Sequence, residues 1–426
     1  MKIRDRVKGL LKNDFNKNFL TLFSGSALAQ LIPLLASVIL ARIYSPEDFG
    51  VFAIFTSVVM IFNSVVNLRY EFAIPLAKDD EEAVVVTLLS GIIAIVFSII
   101  LFFVFLIFQN QLLILIGGEK LGSWLLLVPL SVFLAGIYNS LNYFSLRLKK
   151  YKLIARSNIT RSISNAGFQL GLGAFGFSHI GLIFGYLISF LFGNSRMLKV
   201  FLKNSETIKK ISMLELKHVA IRFKRFPLIS IWGIFLNNLS VNVNNFFISR
   251  VFGINQLGFY SYSYKYINAP LSLISSNMGQ LFYQICATRY LENKPATKEF
   301  LATFKRLVLI CLPVFIVLFF VVEDLFTLIL GQKWYLAGYY CKILIPLFCV
   351  RTIYGPLSMI TGAFEKQSLS LVLQIIIFMT NIVVVIYSYQ FNKDLDTFLK
   401  IYSVSGFIVY ILLFFVLYRT SKFVKN

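Results

Sequence analysis

Acidic side chains are scarce in this chain: 19 Asp and Glu stand against 41 Lys and Arg, and charged residues of both signs make up only 14% of 426 positions. Soluble domains carry about a quarter, so a soluble globular fold is excluded. Cysteine and histidine are scarcer still. Cys286, Cys311, Cys341 and Cys349 form no CxxC pair, and His179 and His218 are the only histidines. Such a set supplies neither metal-ligand spacing nor a disulfide framework. There is no P-loop, and no polar stretch is long enough to fold as a domain of its own.

What the chain has instead is apolar length. Hydrophobic residues make up 58% of it, with a mean hydropathy of +0.77. A membrane-spanning helix needs about 20 mostly apolar residues. Twelve such segments are expected, near 19–41, 49–72, 84–108, 124–146, 157–177, 180–198, 227–249, 257–284, 306–330, 339–362, 369–390 and 398–418. The expected domains are an interfacial arm over 1–18, a six-helix bundle over 19–198, an amphipathic linker over 199–226, a second six-helix bundle over 227–418 and a tail over 419–426. The arm is basic and precedes a full-length span with no small-residue cleavage site, which reads as a retained segment and not a signal peptide.

The net charge of +22 invites a nucleic-acid partner, but its distribution argues against one. With the amino terminus inside, 32 of the 41 basic residues fall in cytoplasmic segments and seven in segments of opposite side; Lys265 and Arg351 lie within apolar runs. This asymmetry follows the positive-inside rule and puts both termini in the cytoplasm.

Two blocks repeat at an offset of 208 residues: ILARIYSPEDFGVF at 39–52 and FISRVFGINQLGFY at 247–260, which set Arg42 on Arg250, Tyr44 on Phe252 and Gly50 on Gly258. Segments 4 and 10 extend the match through Pro129 with Pro346 and Tyr138 with Tyr354, at a spacing that differs by one residue. Two copies of six spans share one orientation, a transporter pattern. In the linker, Ser212 and Glu215 hold capping-box positions ahead of a basic amphipathic stretch suited to the inner leaflet.

Polar residues recur at helical spacing inside the spans, where a lipid-facing position would be costly. Segment 1 carries Ser26, Gln30 and Ser37. Segment 7 carries Asn238, Asn242, Asn245 and Ser249 on one face, with Asn237, Ser240 and Asn244 beside it. Thr56, Asn63, Asn67 and Tyr70 share a face of segment 2; Ser261, Lys265, Asn268 and Ser272 share one of segment 8. Segment 5 bears Asn158, Arg161, Asn165 and Gln169, and segment 10 bears Arg351, Tyr354, Ser358 and Glu365. Single residues of this kind are accounted for by helix–helix hydrogen bonds worth about 0.6 kcal/mol; the set points to a hydrated central cavity.

The cations are more telling. Lys265 lies about nine residues into its segment and Arg351 about twelve, roughly 13 and 18 Å along a helix, with no acidic residue at that depth. Unpaired mid-membrane cations suit an anionic ligand. Arg161, about one turn inside segment 5, either extends that field or reaches the inner surface, while Arg42 and Arg250 fit interface anchors. The expected substrate-binding set is therefore Lys265, Arg351, Arg161, Gln30, Asn238, Asn242, Asn245, Asn268 and Tyr354. Tyr260, Tyr262, Tyr264 and Tyr266 are dense on segment 8, and those beside Lys265 offer stacking faces for sugar rings.

The exits of segments 1 and 2, ARIYSPEDFGVFA and LRYEFAIPLAKDDEEA, and the loop GQKWYLAGYY together resemble the polysaccharide biosynthesis flippases. These are the Wzx-type branch of the multidrug/oligosaccharidyl-lipid/polysaccharide exporter superfamily, and the resemblance runs over nearly the whole chain. It implies an all-α polytopic fold of twelve transmembrane helices in two pseudo-symmetric bundles around a central cavity. It implies alternating access that carries an undecaprenyl-diphosphate-linked oligosaccharide from the cytoplasmic to the periplasmic leaflet of a bacterial inner membrane, for O-antigen, capsule or other surface polysaccharide. Expected partners are that lipid-linked oligosaccharide diphosphate, membrane lipid, and a polysaccharide polymerase with its chain-length regulator, but no nucleic acid. No enzymatic chemistry and no cofactor is expected, and proton or sodium coupling stays open. Two readings compete. A cation-coupled multidrug or small-molecule exporter would want a buried mid-membrane carboxylate, and a polytopic glycan polymerase would want a large outer loop.

Overall fold

Apolar backbone without water must satisfy its own N–H and C=O groups, which makes helices the outcome of these runs. The computed structural model describes residues 14–422; side chains are described from residue 24, apart from 26, 229, 230, 270, 273, 274, 276 and 291. Among the described residues twelve helices of at least 18 residues follow one another: α1 (Asp14–Ile43), α2 (Pro46–Asn63), α3 (Asp80–Ile107), α4 (Val128–Arg147), α5 (Tyr151–Ala174), α6 (His179–Phe201), α7 (Ile231–Phe252), α8 (Ile254–Leu291), α9 (Thr297–Leu330), α10 (Tyr335–Ser358), α11 (Gln367–Gln390) and α12 (Leu395–Ser421). Each expected span corresponds to one of them. No strand occurs among the described residues. Most of the arm expected over 1–18, the last residues of the tail and the Ser26 side chain lie outside what is described.

Among the described residues eight stretches are long and apolar enough to cross a membrane; they contain α2, α3, α4, α6, α9, α10, α11 and α12. Helix α1 contributes a shorter apolar stretch, Ala27–Ile43. Helices α5, α7 and α8 fall below the same apolarity because they carry the polar stripes. The protein is a multi-pass membrane protein.

The chain divides into two units between Asn238 and Leu239, within α7. Unit 1 holds α1 to α6. Its corner between α1 and α2 is set by Ser45, which caps α2 in a capping box with Asp48, with Pro46 in the first turn. One Asp48 carboxylate oxygen accepts from Ser45 N at 2.9 Å, and the other accepts from the backbone N–H of His179, the first residue of α6, at 2.8 Å. Nearby, Lys120 pairs with Glu47. Tyr44 is buried and its hydroxyl donates to Gln169 O at 2.7 Å, which ties the corner to α5.

Helix α2 stops at Asn63, so Asn67 and Tyr70 do not continue its face as the stripe predicts. The backbone turns left-handed at Leu68 and Arg69 and re-forms as a 3-10 helix, Tyr70–Leu76. The reason is tertiary. Asn67 Nδ2 reaches Ser90 O and Oγ on α3 and Gly136 O and Ser140 Oγ on α4, at 3.0 to 3.2 Å. A Cβ on Gly136 would lie 3.0 Å from Val66 Cγ1, so glycine permits this close approach. Just beyond the break, Arg69 pairs with the buried Glu71 at 3.5 Å and lies over the Phe72 ring.

The linker contains a helix, Met213–Arg222, capped by Ser212 and Glu215 as the pattern asks. Val219 and Phe223 bury into the cluster that holds Tyr70 and Phe144, each contributing about 1.5–3 kcal/mol if fully transferred from water. Tyr70 Oη donates to Ala220 O at 2.9 Å and Arg222 pairs with Glu82, so the helix is fastened to the end of unit 1. In unit 2, Phe282, Phe300, Leu357 and Leu413 form the corresponding core. Gly253, with φ of 92°, precedes α8 at the position Ser45 holds before α2.

Candidate functional site

Unit 1 contains a cavity of about 310 Å³ lined by Gln30 and Pro33 of α1, by Asn158, Arg161 and Asn165 of α5, and by Tyr186 of α6, with Ser162 and Ser189 beside them. Helical spacing on α5 puts Asn158, Arg161 and Asn165 on one side. The Arg161 guanidinium lies 3.9 Å from the Phe190 ring centroid and 5.0 Å from that of Tyr138. Among the described residues no carboxylate comes within 4 Å of it. Cation–π contact of this kind is worth about 0.5–2 kcal/mol, enough to hold the group in place without neutralising it. The Tyr138 hydroxyl donates to Asn158, orienting that amide, whereas Asn165 Oδ1 is buried with no hydrogen-bond partner among the described residues. Ser162 and Ser189 spend their hydroxyl protons on Ala29 O and Tyr186 O at 2.7 and 2.6 Å, which leaves oxygen lone pairs toward the cavity.

Unit 2 holds Lys265 on α8 and Arg351 on α10. Arg351 donates to the Tyr264 hydroxyl at 2.8 Å and lies 5.8 and 5.9 Å from the Tyr264 and Phe348 rings. Tyr264 directly precedes Lys265, so this bond ties the two cation-bearing helices together. Lys265 Nζ lies 5.5 Å from the Tyr262 ring. Neither cation has a carboxylate within 4 Å among the described residues. Because α10 begins at Tyr335, four residues before the expected start, Arg351 sits roughly 24 Å along it and Lys265 roughly 16 Å along α8.

The remaining expected residues divide between the units. Gln30 joins Arg161 in the unit 1 cavity. Asn238 donates to Ile234 O, one turn earlier on α7; Asn242 is buried, and Asn245 and Asn268 are half-buried. Tyr354 is buried against Tyr410, with ring centroids 5.0 Å apart. Asn67 and Asn381 are structural cross-links, the latter donating to Ser240 Oγ at 2.9 Å. Sequence reasoning missed Tyr186, Ser189 and Phe190 of α6, whose i, i+3, i+4 spacing places them on one face; inside an apolar run those aromatics read as lipid-facing.

Fold and composition together define a polytopic all-helical membrane protein. A sequence profile of the polysaccharide biosynthesis proteins matches residues 39–338, and the chain belongs to that family. No curated protein matches it. Among solved structures it is similar to the lipid II flippase MurJ in its inward closed conformation, at 13% identity over 93% of this chain and 87% of that one, with a TM-score of 0.73. It is also similar to an inward-facing multidrug resistance MATE family transporter of the MOP superfamily, at 15% identity over 93% of each chain and a TM-score of 0.68. A third is a MOP superfamily transporter from Pyrococcus furiosus noted for the reverse polarity of its binding pocket, at 15% identity over 96% of each chain and a TM-score of 0.61. At these identities the likeness establishes the fold they share.

Proposed function

We propose that this protein is a flippase that moves a lipid-linked oligosaccharide diphosphate between leaflets by alternating access, for the assembly of a surface polysaccharide. The observation that carries the reading is that Arg161, Lys265 and Arg351 lie within long helices, laid against aromatic rings and without an acidic partner within 4 Å among the described residues. A diphosphate or an acidic sugar supplies the missing charge, amides such as Asn158 and Asn165 meet sugar hydroxyls, and tyrosine faces stack on sugar rings. Membership of a polysaccharide biosynthesis family supports the substrate class.

We place the protein in a bacterial inner membrane with both termini cytoplasmic, on the charge asymmetry of its loops. Movement is from the cytoplasmic to the periplasmic leaflet, drawing on a proton or sodium gradient and handing the product to a polymerase and its chain-length regulator. Deleting the gene and identifying the lipid-linked intermediate tests this. A diphosphate-linked oligosaccharide should accumulate on the cytoplasmic leaflet, and surface glycan should fall. Unchanged glycans with raised drug sensitivity would instead favour a cation-coupled exporter, a reading that wants a carboxylate where the unit 1 cavity presents Arg161.

A further inference from the structure

Away from these cations, unit 2 carries a groove of about 390 Å³ on α9, α10 and α12, at the end where α10 and α12 begin. Its walls are apolar, with Phe319, Pro346 and Phe407 prominent, and Lys342 and Lys400 stand at its rim. Each lysine has an acidic companion: Lys342 Nζ lies 3.4 Å from Glu323, and Lys400 Nζ lies 3.9 Å from Asp396. Tyr339 donates to the same Asp396 at 2.6 Å and fixes its position. In the groove wall Ser403 is 3% exposed, and its hydroxyl has no hydrogen-bond partner among the described residues. Most hydroxyls on these helices bond a carbonyl three or four residues earlier, as Ser405 does to Tyr402 O.

We propose that this groove is a binding site for a zwitterionic aminophospholipid. The occupant follows from charge and polarity. A lipid-facing helix pair needs no charged rim, yet here two rim lysines each stand beside a carboxylate, and the four charges sum to zero. A net-anionic lipid gains from the lysines and loses at the carboxylates, whereas a phosphoethanolamine head group meets both. Its phosphate accepts from Lys342 and Lys400, and its ammonium donates to Glu323 and Asp396. Below the head group, an ester carbonyl is the acceptor that the Ser403 hydroxyl lacks, and an acyl chain covers Phe319, Pro346 and Phe407. Choline, which carries no N–H, cannot make the donor half of this contact.

The test is retention of added lipid by the purified full-length protein, read by native mass spectrometry with phosphatidylethanolamine, phosphatidylglycerol and phosphatidylcholine of matched chains. Phosphatidylethanolamine should be retained most. Lys342→Gln or Lys400→Gln should each weaken it roughly fivefold, the worth of one basic group near a lipid head. Val404→Trp, which fills the groove, should abolish retention, and Ser403→Ala should weaken it at an unchanged melting temperature. Equal retention of the three lipids, preference for phosphatidylglycerol, or retention unaffected by both lysine variants would each overturn the proposal. Lys400→Gln, at a side chain 58% exposed, keeps it falsifiable should Val404→Trp fail to fold.

Discussion

Helices α2 and α8 occupy the same place in the two copies of the repeat, yet one breaks and the other does not. At the 208-residue offset Asn67 falls on Ser275, and in the Tyr138 to Tyr354 register Gly136 falls on Thr352. Asn67 Nδ2 donates to Gly136 O at 3.2 Å, and Ser275 Oγ donates to Thr352 O at 3.1 Å, so an equivalent bond ties the segment after α2 to α4 and ties α8 to α10. The backbones that carry it differ. Unit 1 ends its helix at Asn63 and turns through left-handed Leu68 and Arg69, while α8 runs unbroken over 38 residues. Left-handed residues cost roughly 1–2 kcal/mol each. The four acceptors around the Asn67 amide offset that cost; a serine hydroxyl has one proton to give and could not. The repeat therefore conserves a contact and leaves the backbone free to vary.

The break also relocates charge. Beyond it unit 1 buries the pair Arg69 and Glu71, at positions where α8 has Asn277 and Gly279. Unit 2 instead puts Lys265 and Arg351 where unit 1 has Ser57 and Ala135, both buried. At these aligned positions unit 1 has its charges near a helix end and unit 2 has them inside its spans; Arg161 on α5 is unit 1's own cation within a helix.

The sharpest way to break this comparison is at the unit 2 cations. Lys265→Ala and Arg351→Ala should each lower glycan export roughly tenfold or more, since a hydrogen bond to a charged group is worth about 1.5–3 kcal/mol. Complementation assays at matched membrane levels decide it, and full rescue by both variants would remove the anion-site assignment. Next is Asn67→Leu, which strips the donor from a buried cluster of acceptors. A loss of about 2–3 kcal/mol is expected, seen as a fall in the thermal midpoint in detergent.

A pH scan probes the break itself. Burial pushes the Glu71 carboxyl up from its ordinary value of 4.5 to about 7, against the opposing pull of Arg69. The folded state then binds more protons than the unfolded chain across that interval. Stability should thus be greatest below about pH 4.5 and decline as pH rises through about 7, and Glu71→Gln should flatten the profile. An unchanged profile in that variant would assign the titration elsewhere. The smallest effect is expected at Ser275→Ala, about 0.6 kcal/mol, typical of a single interhelical bond in a membrane. If it matched Asn67→Leu, the two bonds would be energetically equivalent and the broken helix would need another cause.

Much of this architecture could be read from residues, for physical reasons. Span count follows from apolar length, and the linker helix follows from Ser212 and Glu215 because both halves of a capping box are local. The α2 break was not legible: Asn63, Asn67 and Tyr70 keep a helical spacing, and the partners that outbid the helix, Ser90, Gly136 and Ser140, are distant in sequence. The cavity was half legible. Asn158, Arg161 and Asn165 announce themselves as polar residues in an apolar run, but Phe190 under the guanidinium looks like any lipid-facing phenylalanine until the fold brings it there.

Asp48 joins two helix beginnings through one carboxylate, because it accepts both from Ser45 at the head of α2 and from His179 at the head of α6. Pulling either helix start away would strand a backbone N–H and sacrifice a charge-assisted bond. In mechanical terms the starts of α2 and α6 are coupled at this end of unit 1, while at the other end α2 is already broken.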